Sequence, residues 1–149
     1  MTIRLRREPL NVAVLLEGVQ APERGGACVF VGTVRPDHET VAIDYSAHEA
    51  MALAELERIV AEARDRWPEA ETAVEHRLGR VAVGEASVAV AAAAPHRRDA
   101  FEACRFMIEA IKVRLPVWKR EQRADGTADW VDNAGGRLPS SGQSAPDSA

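Results

Sequence analysis

The order of hydrophobic and polar positions along the chain predicts two long amphipathic helices separated by short strands. Residues 49–67 and 97–114 repeat apolar side chains at spacings of three and four, which is typical of helices with one buried face. The buried stripe predicted for the first comprises Met51, Leu53, Leu56, Ile59, Val60 and Ala63. That of the second comprises Ala100, Cys104, Met107 and Ile111. Pro68 ends the first helix, because proline has no N–H to donate. A shorter helix is predicted in NVAVLLEGVQ.

Runs of β-branched and small apolar residues predict the strands. They are TIRLRREPL at a sheet edge, residues 27–35, residues 41–47, ETAVEHRLG, EASVAVAAAA, VWKREQR and TADWV, with PDHET as a loop. Gly32 marks a bulge or a close backbone approach. Gly84 lies in the turn that joins ETAVEHRLG to EASVAVAAAA, and Asp125 and Gly126 form the turn of the last hairpin. Helices and strands in this order predict an α+β fold with a mainly antiparallel sheet.

The length and composition fit one domain followed by a tail. The chain has 149 residues, of which 46% are hydrophobic, enough for a single core. Residues 134–149 are rich in Gly, Ser and Pro and contain a single Leu, so we expect a domain over 1–133 and a disordered tail. We find no apolar run long enough to cross a bilayer and no signal peptide. We therefore expect a cytoplasmic protein without a membrane partner.

Charge and motif content exclude several classes of function. With 23 acidic and 19 basic residues, the chain is not expected to bind nucleic acid nonspecifically. Cys28 and Cys104 lie in apolar surroundings without CxxC spacing, which favours small buried side chains over a redox or zinc pair. The four histidines form no HExxH motif, and we find no nucleophile elbow, phosphate loop or dinucleotide fingerprint. We expect neither a metal nor a cofactor.

Basic side chains at the ends of predicted elements are the candidates for chemistry. They are Arg35, His96, Arg97, Lys112 and Lys119. His96 and Arg97 begin the second long helix, where exposed N–H groups favour a phosphate or carboxylate. Lys112 and Lys119 lie on either side of Pro116, in a stretch otherwise suited to burial. Together these residues suggest a small anion pocket.

Structural interpretations compete with each of these assignments. In the second long helix, basic and acidic residues alternate at spacings typical of a solvated face; they are Arg98, Glu102, Arg105, Glu109 and Lys112. Lys119 would equally guard a sheet edge, His96 would cap the helix, and His76 is expected to be structural. The residues alone leave both interpretations open.

Four segments together resemble one known family. GACVFVGTVR, HRLGRVAVGEASVAVAAAAPHRRDAFEAC, IKVRLPVWKRE and DGTADWV, in this order and spacing, closely resemble the catalytic large subunit of molybdopterin synthase. The resemblance covers residues 26–131. It implies an α/β-hammerhead fold and a homodimer of large subunits. It also implies a small ubiquitin-like subunit at each end, which makes a heterotetramer.

The resemblance also implies a reaction. In that family the C-terminal Gly-Gly of the small sulfur-carrier subunit ends as a thiocarboxylate and enters a pocket of the large subunit. It donates sulfur twice to cyclic pyranopterin monophosphate, which gives the dithiolene of molybdopterin. The activity is thus that of a sulfurtransferase in molybdenum cofactor biosynthesis.

Matching motif positions carry the family's site residues onto this chain. The resemblance implies Lys112 and Lys119 as catalytic residues, and as substrate-binding residues Phe30, Arg35, His96 and Arg97. We expect Lys112 to position the thiocarboxylate and Lys119, with a pKa lowered by burial and a cationic neighbour, to transfer protons. One anchor for the substrate phosphate is expected from the neighbouring protomer.

The chain departs from the family pattern at Ser46 and His48, where an acid and an aromatic residue are expected.

Three functions compete with that of the enzyme. A sulfur carrier is disfavoured because Gly135 and Gly136 lie inside the tail, and a noncatalytic scaffold because the cationic residues are retained. An RNA-binding module is disfavoured because the chain has only seven Phe, Tyr and Trp residues.

Overall fold

The computed structural model describes residues 2–131, with the exception of the His38 side chain. Its helices are α1 (Val12–Glu17), α2 (Glu49–Arg66) and α3 (Arg97–Arg114). Its strands are β1 (Thr2–Arg6), β2 (Gly26–Thr33), β3 (Thr40–Ala47), β4 (Glu71–Arg77), β5 (Gly79–Ala82), β6 (Ala86–Ala94), β7 (Val117–Arg123) and β8 (Ala128–Val131). The domain boundary predicted at residue 133 and the tail predicted over 134–149 lie outside the described residues.

The strands form two four-stranded sheets. The first has the order β1-β4-β6-β2 and the second has the order β5-β3-β7-β8. The β1–β4 pair is parallel, and every other pairing within residues 2–131 is antiparallel. The predicted α+β class with mainly antiparallel pairing is therefore confirmed.

The chain changes sheets at a position that the sequence pattern does not reveal. The sequence predicted one continuous strand in ETAVEHRLG, but β4 ends at Arg77 and Gly79 adopts a φ of 85°. This left-handed conformation, which glycine adopts without a Cβ clash, directs the chain into β5 beside β3 of the second sheet. The predicted turn at Gly84 is confirmed, with a φ of 87°.

Three smaller expectations require correction. Met51 does not belong to the buried stripe of α2, because its side chain is 58% exposed. The stripe begins instead at Ala52, and the angle of 100° per residue turns Met51 away from it. The segment predicted as a loop contains a short 3-10 helix (Asp37–Glu39). β2 ends at Thr33, so Arg35 follows the strand and is not part of it.

The first sheet is covered on both faces. On one face Val88, Val90 and Ala92 of β6 join the main core with α2 and α3, and on the other Ala89 and Ala91 pack with α1. β6 is almost entirely buried and mostly alanine, so both helical layers approach the sheet closely. α3 lies along β2, with Arg97 against Gly26 at the start of the strand and Lys112 beside the groove that Phe30 also lines.

Two glycines of β2 mark close approaches. A Cβ on Gly32 would lie 2.8 Å from Val88 Cγ1, and the register shifts between Gly32 and Thr33, so the predicted bulge and close approach are both confirmed. A Cβ on Gly26 would lie 2.9 Å from the Cα of Arg97. The first residue of α3 therefore rests directly against the β2 backbone.

Candidate functional site

The end of α3 and the middle of β7 bring the two lysines into one pocket. Lys112 lies in the last turn of α3, which ends because Leu115 adopts an extended conformation before Pro116. Leu115 is buried, so the chain turns around a fixed apolar point and β7 carries Lys119 back beside the helix. Lys112 and Lys119 line a small pocket whose other walls are His76, Ile111, Leu115 and Val117.

The strand register explains why Lys119 faces this pocket. Lys119 lies directly opposite Tyr45 in the β3–β7 pair, so the two side chains are on the same face of the second sheet. The buried Tyr45 ring in turn meets the His76 ring edge-on, with 5.3 Å between centroids. His76 belongs to β4 of the first sheet. The pocket therefore lies where the two sheets meet, and the end of α3 closes it.

His76 was expected to be structural, and the structure places it in the pocket wall. Burial lowers its pKa to about 4, while a hydrogen bond to the Arg77 carbonyl at 2.9 Å acts in the opposite direction. The positive charges of Lys112 and Lys119 lower the pKa further. The imidazole is thus neutral at pH 7. Because a carbonyl only accepts, Nδ1 carries the proton.

Lys112 has a perturbed pKa. Burial lowers it first and the charge of Arg35 lowers it further, although part of the Lys112 side chain remains accessible to solvent. Arg35 itself is 80% exposed and pairs with Asp37 at 3.2 Å. The structure thus lowers the pKa of Lys112, and the lowered pKa predicted for Lys119 stays a prediction. Arg35 and Lys112 therefore belong to one electrostatic environment.

The use of lysine at these positions is itself a signal. Lys112 and Lys119 are the two lysines of the chain, and all others of its 19 Lys and Arg residues are arginines. A guanidinium stays protonated in proteins, whereas an amine can lose its proton when burial lowers its pKa. Lysine, the cation that can lose a proton, thus occurs in this chain only at this pocket.

An apolar groove of about 800 Å³ adjoins the lysine pocket between α3 and β2. Phe30 and Lys112 both line it, together with Phe101, Ile108 and Val113. Phe101 is 60% exposed and Val113 is 79% exposed. Cys28 and Cys104 form part of its floor, and burial raises the pKa of both thiols, that of Cys104 to about 12. The thiols are therefore protonated at neutral pH, and they pack as small uncharged side chains.

His96 and Arg97 form a second basic region at the opposite end of α3. They line a depression of about 460 Å³ with Gly25, Pro95 and Arg98. His96 is exposed and occupies the N-cap position of α3, as the structural interpretation had it, but its side chain makes no capping hydrogen bond. Fifteen residues separate Arg97 from Lys112 along α3, a distance of about 22 Å. Within one chain the structure does not bring His96 and Arg97 to the lysines.

Four charged residues of α3 form two exposed ion pairs. Arg98 pairs with Glu102 at 3.2 Å and Arg105 with Glu109 at 2.9 Å, both with i,i+4 spacing on an exposed face. The interpretation of this face as solvated is therefore confirmed for these residues. Lys112 follows the same seven-residue spacing but lies at the pocket.

The two departures from the family pattern lie outside the lysine pocket. His48 caps α2, since its Nδ1 accepts a hydrogen bond from the Met51 N–H at 3.3 Å. Ser46 lies opposite Trp118 in the β3–β7 pair, and its hydroxyl has no hydrogen-bond partner among the described residues.

The side chains of residues 2–131 contain no group of three or more His, Cys, Asp or Glu that could hold a metal ion. In the same range, no helix combines the length and the hydropathy required to cross a bilayer.

The fold and the site define an α+β protein in which two lysines and a buried histidine line a small cationic pocket beside an apolar groove. Comparison with known families identifies it further: residues 5–114 match the model of the MoaE protein family, and the chain belongs to this family. It is 39% identical over 131 residues to molybdopterin synthase catalytic subunit 1 of Mycobacterium tuberculosis, covering 86% of this chain and 88% of that protein.

Solved structures agree with this assignment. The molybdopterin synthase of Staphylococcus aureus superimposes with a TM-score of 0.80 at 32% identity, covering 85% of this chain and 93% of that one. A chain from a complex of subunits 1 and 2 of molybdopterin-converting factor from Helicobacter pylori superimposes with a TM-score of 0.73. Its identity is 24% and it covers 97% of this chain and 93% of that one, and this likeness supports the fold alone.

Proposed function

We propose that the chain is the catalytic subunit of a molybdopterin synthase. It would transfer sulfur from the thiocarboxylated C-terminus of a small carrier subunit to cyclic pyranopterin monophosphate. The observation that carries the proposal is the convergence of both lysines of the chain in one pocket of a MoaE-family fold. The names of the relatives, which are catalytic subunits of molybdopterin synthase, support it.

The pocket chemistry suits this sulfur transfer. The thiocarboxylate sulfur would form a bond to a substrate carbon as a carbon–oxygen bond at that carbon breaks and its oxygen leaves on the phosphate or as water, and a further water would then cleave the acyl–sulfur bond. This leaves a carboxylate on the carrier and a thiolate on the pterin. Both partners are anionic, so cations that hold the acyl end and the phosphate lower the barrier. Lys112 would polarise the acyl end, and its lowered pKa also favours proton exchange with Lys119.

Binding of the substrate phosphate is proposed to involve two copies of the chain. Arg35 lies near Lys112, but His96 and Arg97 of the same chain are about 22 Å away along α3. A two-fold axis that passes beside the middle of α3, perpendicular to the helix, would pair the α3 helices of two copies in antiparallel orientation. It would then bring the basic end of one copy to the lysine end of the other.

The apolar groove supports this dimer. It runs beside α3, and its exposed Phe101 and Val113 are suited to burial against a second copy of the same surface. A homodimer with one small subunit at each lysine pocket gives the heterotetramer implied by the resemblance. The small subunit would insert its C-terminal tail beside Phe30 and Lys112.

A single-turnover assay tests the function. The purified chain is mixed with a thiocarboxylated small subunit and cyclic pyranopterin monophosphate, and molybdopterin is quantified as its fluorescent oxidised derivative. We expect product from the wild-type chain and none without the thiocarboxylate. A chain that binds the small subunit on a sizing column but forms no product would instead be a noncatalytic scaffold.

A further inference from the structure

The geometry of the lysine pocket depends on the corner between α3 and β7. Lys112 lies before this corner and Lys119 lies after it, and only Leu115 and Pro116 separate the helix from the strand. A displacement of the helix end would therefore change the position of Lys112 relative to Lys119. The last residue of α3 is Arg114, and its contacts determine how this end is held.

Arg114 forms three short hydrogen bonds with α2. Its Nε donates to Glu55 at 2.7 Å, and Nη1 and Nη2 donate to the two carboxylate oxygens of Glu62 at 2.8 and 2.9 Å. Glu55 and Glu62 are about two helical turns apart and lie on the same face of α2. The bidentate pair fixes the plane of the guanidinium as well as its distance from α2. Hydrogen bonds to Glu62 and then Glu55 raise the pKa of Arg114, so it stays charged.

These ion pairs differ from the exposed pairs because they connect two helices. The Arg114 side chain is 32% exposed and that of Glu55 is 15% exposed, whereas the Arg98 side chain is 82% exposed and pairs within α3. An ion pair within one helix supports only that helix, whereas a pair between helices constrains how they pack. Trp67 also connects α2 to α3, through Glu102, but this contact lies about 18 Å from Arg114 along α3.

We propose that Arg114 is a positioning residue, whose ion pairs with Glu55 and Glu62 hold the end of α3 against α2 and thereby keep Lys112 and Lys119 in one pocket. Arg114 follows Lys112 by two positions, which is about 200° around the helix axis, so the two side chains leave the helix on nearly opposite sides. Arg114 contacts α2, while Lys112 lines the pocket. Its effect on the lysines is therefore transmitted through the helix backbone.

The lysines of the chain make a direct test possible. Protein labelled with 13C and 15N in lysine gives signals from Lys112 and Lys119 alone, and a Lys119→Arg protein assigns them. The test variants are Arg114→Met, which removes all three hydrogen bonds, and the milder Glu62→Gln, which removes the bidentate pair. Thermal unfolding is measured first, so that an unfolded variant is recognised.

The matched control is Arg58→Met. Arg58 pairs with Glu55 at 2.7 Å, but both residues belong to α2 and the Arg58 side chain is 62% exposed. This variant therefore removes an arginine from the same carboxylate without releasing α3. We expect its lysine signals and titration midpoints to match those of the wild type.

The two test variants separate displacement from a direct charge effect. Burial first and then the charge of Arg35 lower the pKa of Lys112, so a released helix end that admits water should raise its titration midpoint in both variants. As a charge effect alone, loss of Arg114 would raise the midpoint and loss of the Glu62 charge would lower it. Opposite shifts in the two variants, or the wild-type midpoint in either folded variant, would overturn the proposal.

The positioning role rests on the proposed function only for its effect on catalysis. In the single-turnover assay we expect the rate of Arg114→Met to fall by roughly tenfold or more, because a small displacement of a catalytic group is costly, while Arg58→Met keeps the wild-type rate. If the wild type forms no molybdopterin, the proposed function fails, while the lysine titrations still decide the role of Arg114. A lowered rate with unchanged lysine midpoints would contradict positioning and leave Arg114 a role in stability alone.

Discussion

The two ends of α3 differ in whether a single chain forms a pocket around the charged side chains. At the C-terminal end, Lys112, Lys119 and His76 form a pocket between two sheets, where the pKa values of Lys112 and His76 are lowered and the histidine is held in one tautomer. At the N-terminal end, His96 and Arg97 are exposed beside a shallow depression. One region is therefore organised within a single chain, whereas the charge of the other is exposed and, in the proposed dimer, would act at the pocket of the second copy.

Removing Lys112 should produce the largest effect. We expect Lys112→Ala to lower single-turnover product formation by roughly 10²–10³-fold, the cost of losing one electrostatic stabiliser in a low-dielectric site. Lys112→Arg should not restore the rate, because a guanidinium keeps its proton. Arg80→Ala, an exposed position of β5, serves as the control and should retain the wild-type rate. Equal rates for Lys112→Arg and wild type would restrict Lys112 to a charge-binding role.

The next prediction concerns the opposite end of α3 and the second copy. Lys112→Ala and Arg97→Ala chains, co-expressed with different tags and purified as hybrid dimers, should regain about half of the wild-type product. This is expected because one of the two sites would then be intact. Each variant alone should be nearly inactive.

The matched control for the hybrid experiment combines Lys112→Ala with Lys119→Ala. Both substitutions affect the same half of the site, so these hybrids should remain inactive. Activity in the control, or no recovery in the Lys112–Arg97 hybrids, would contradict a site shared between protomers.

Acid should weaken the pocket end more than the exposed end. The folded-state pKa of His76 is about 4 against an ordinary value of 6.5, so the unfolded chain binds more protons between these values. The stabilisation is fully present above pH 6.5 and is lost as the pH falls towards 4, by roughly 3 kcal/mol in total. Denaturant unfolding of wild type and His76→Gln at pH 7 and pH 4.5 measures this difference.

We expect the loss of unfolding free energy between the two pH values to be smaller in His76→Gln than in the wild type. His96→Gln removes an exposed imidazole from the other end of α3 and should keep the wild-type dependence. The same acid sensitivity in all three proteins would assign the pH dependence to other groups.

A smaller effect is expected where α3 rests on β2. Gly26→Ala would place a Cβ 2.9 Å from the Arg97 Cα, and relief of this clash should cost about 1–3 kcal/mol of unfolding free energy. Gly18→Ala is the control, because its φ is −62° and the nearest atom to the new Cβ lies at 3.4 Å. Equal stability of the two variants, measured by denaturant unfolding, would show that α3 can shift at little cost.

Much of the fold was predictable because local patterns determine it. The stripes of α2 and α3 and the turns at Gly84 and Gly126 follow from periodicity and from glycine chemistry. The change of sheet at Gly79 was not predicted, because alternation of apolar residues is the same in either sheet. It depends on which strand edge is free to pair, and that is a tertiary property.

The site was predictable in part. Arg35, Lys112 and Lys119 were indicated by positions at element ends and by the family resemblance. The place of His76 in the pocket wall was missed, because a histidine in a buried strand gives no local sign of what lies opposite it, and that place depends on a contact between two sheets. The restriction of lysine to two positions was a signal present in the sequence.

The alanine-rich strand β6 has a consequence for how this chain tolerates change. Its side chains support helices on both faces, and those from Val88 to Ala94 have at most 1% of their surface exposed. Any larger residue there would push a helical layer outward and misalign both ends of α3 at once. In a survey of random substitutions, we therefore expect the least variable part of the sequence to include a strand without any reactive group. The small side chains of β6 determine how far the helices on each face lie from the sheet.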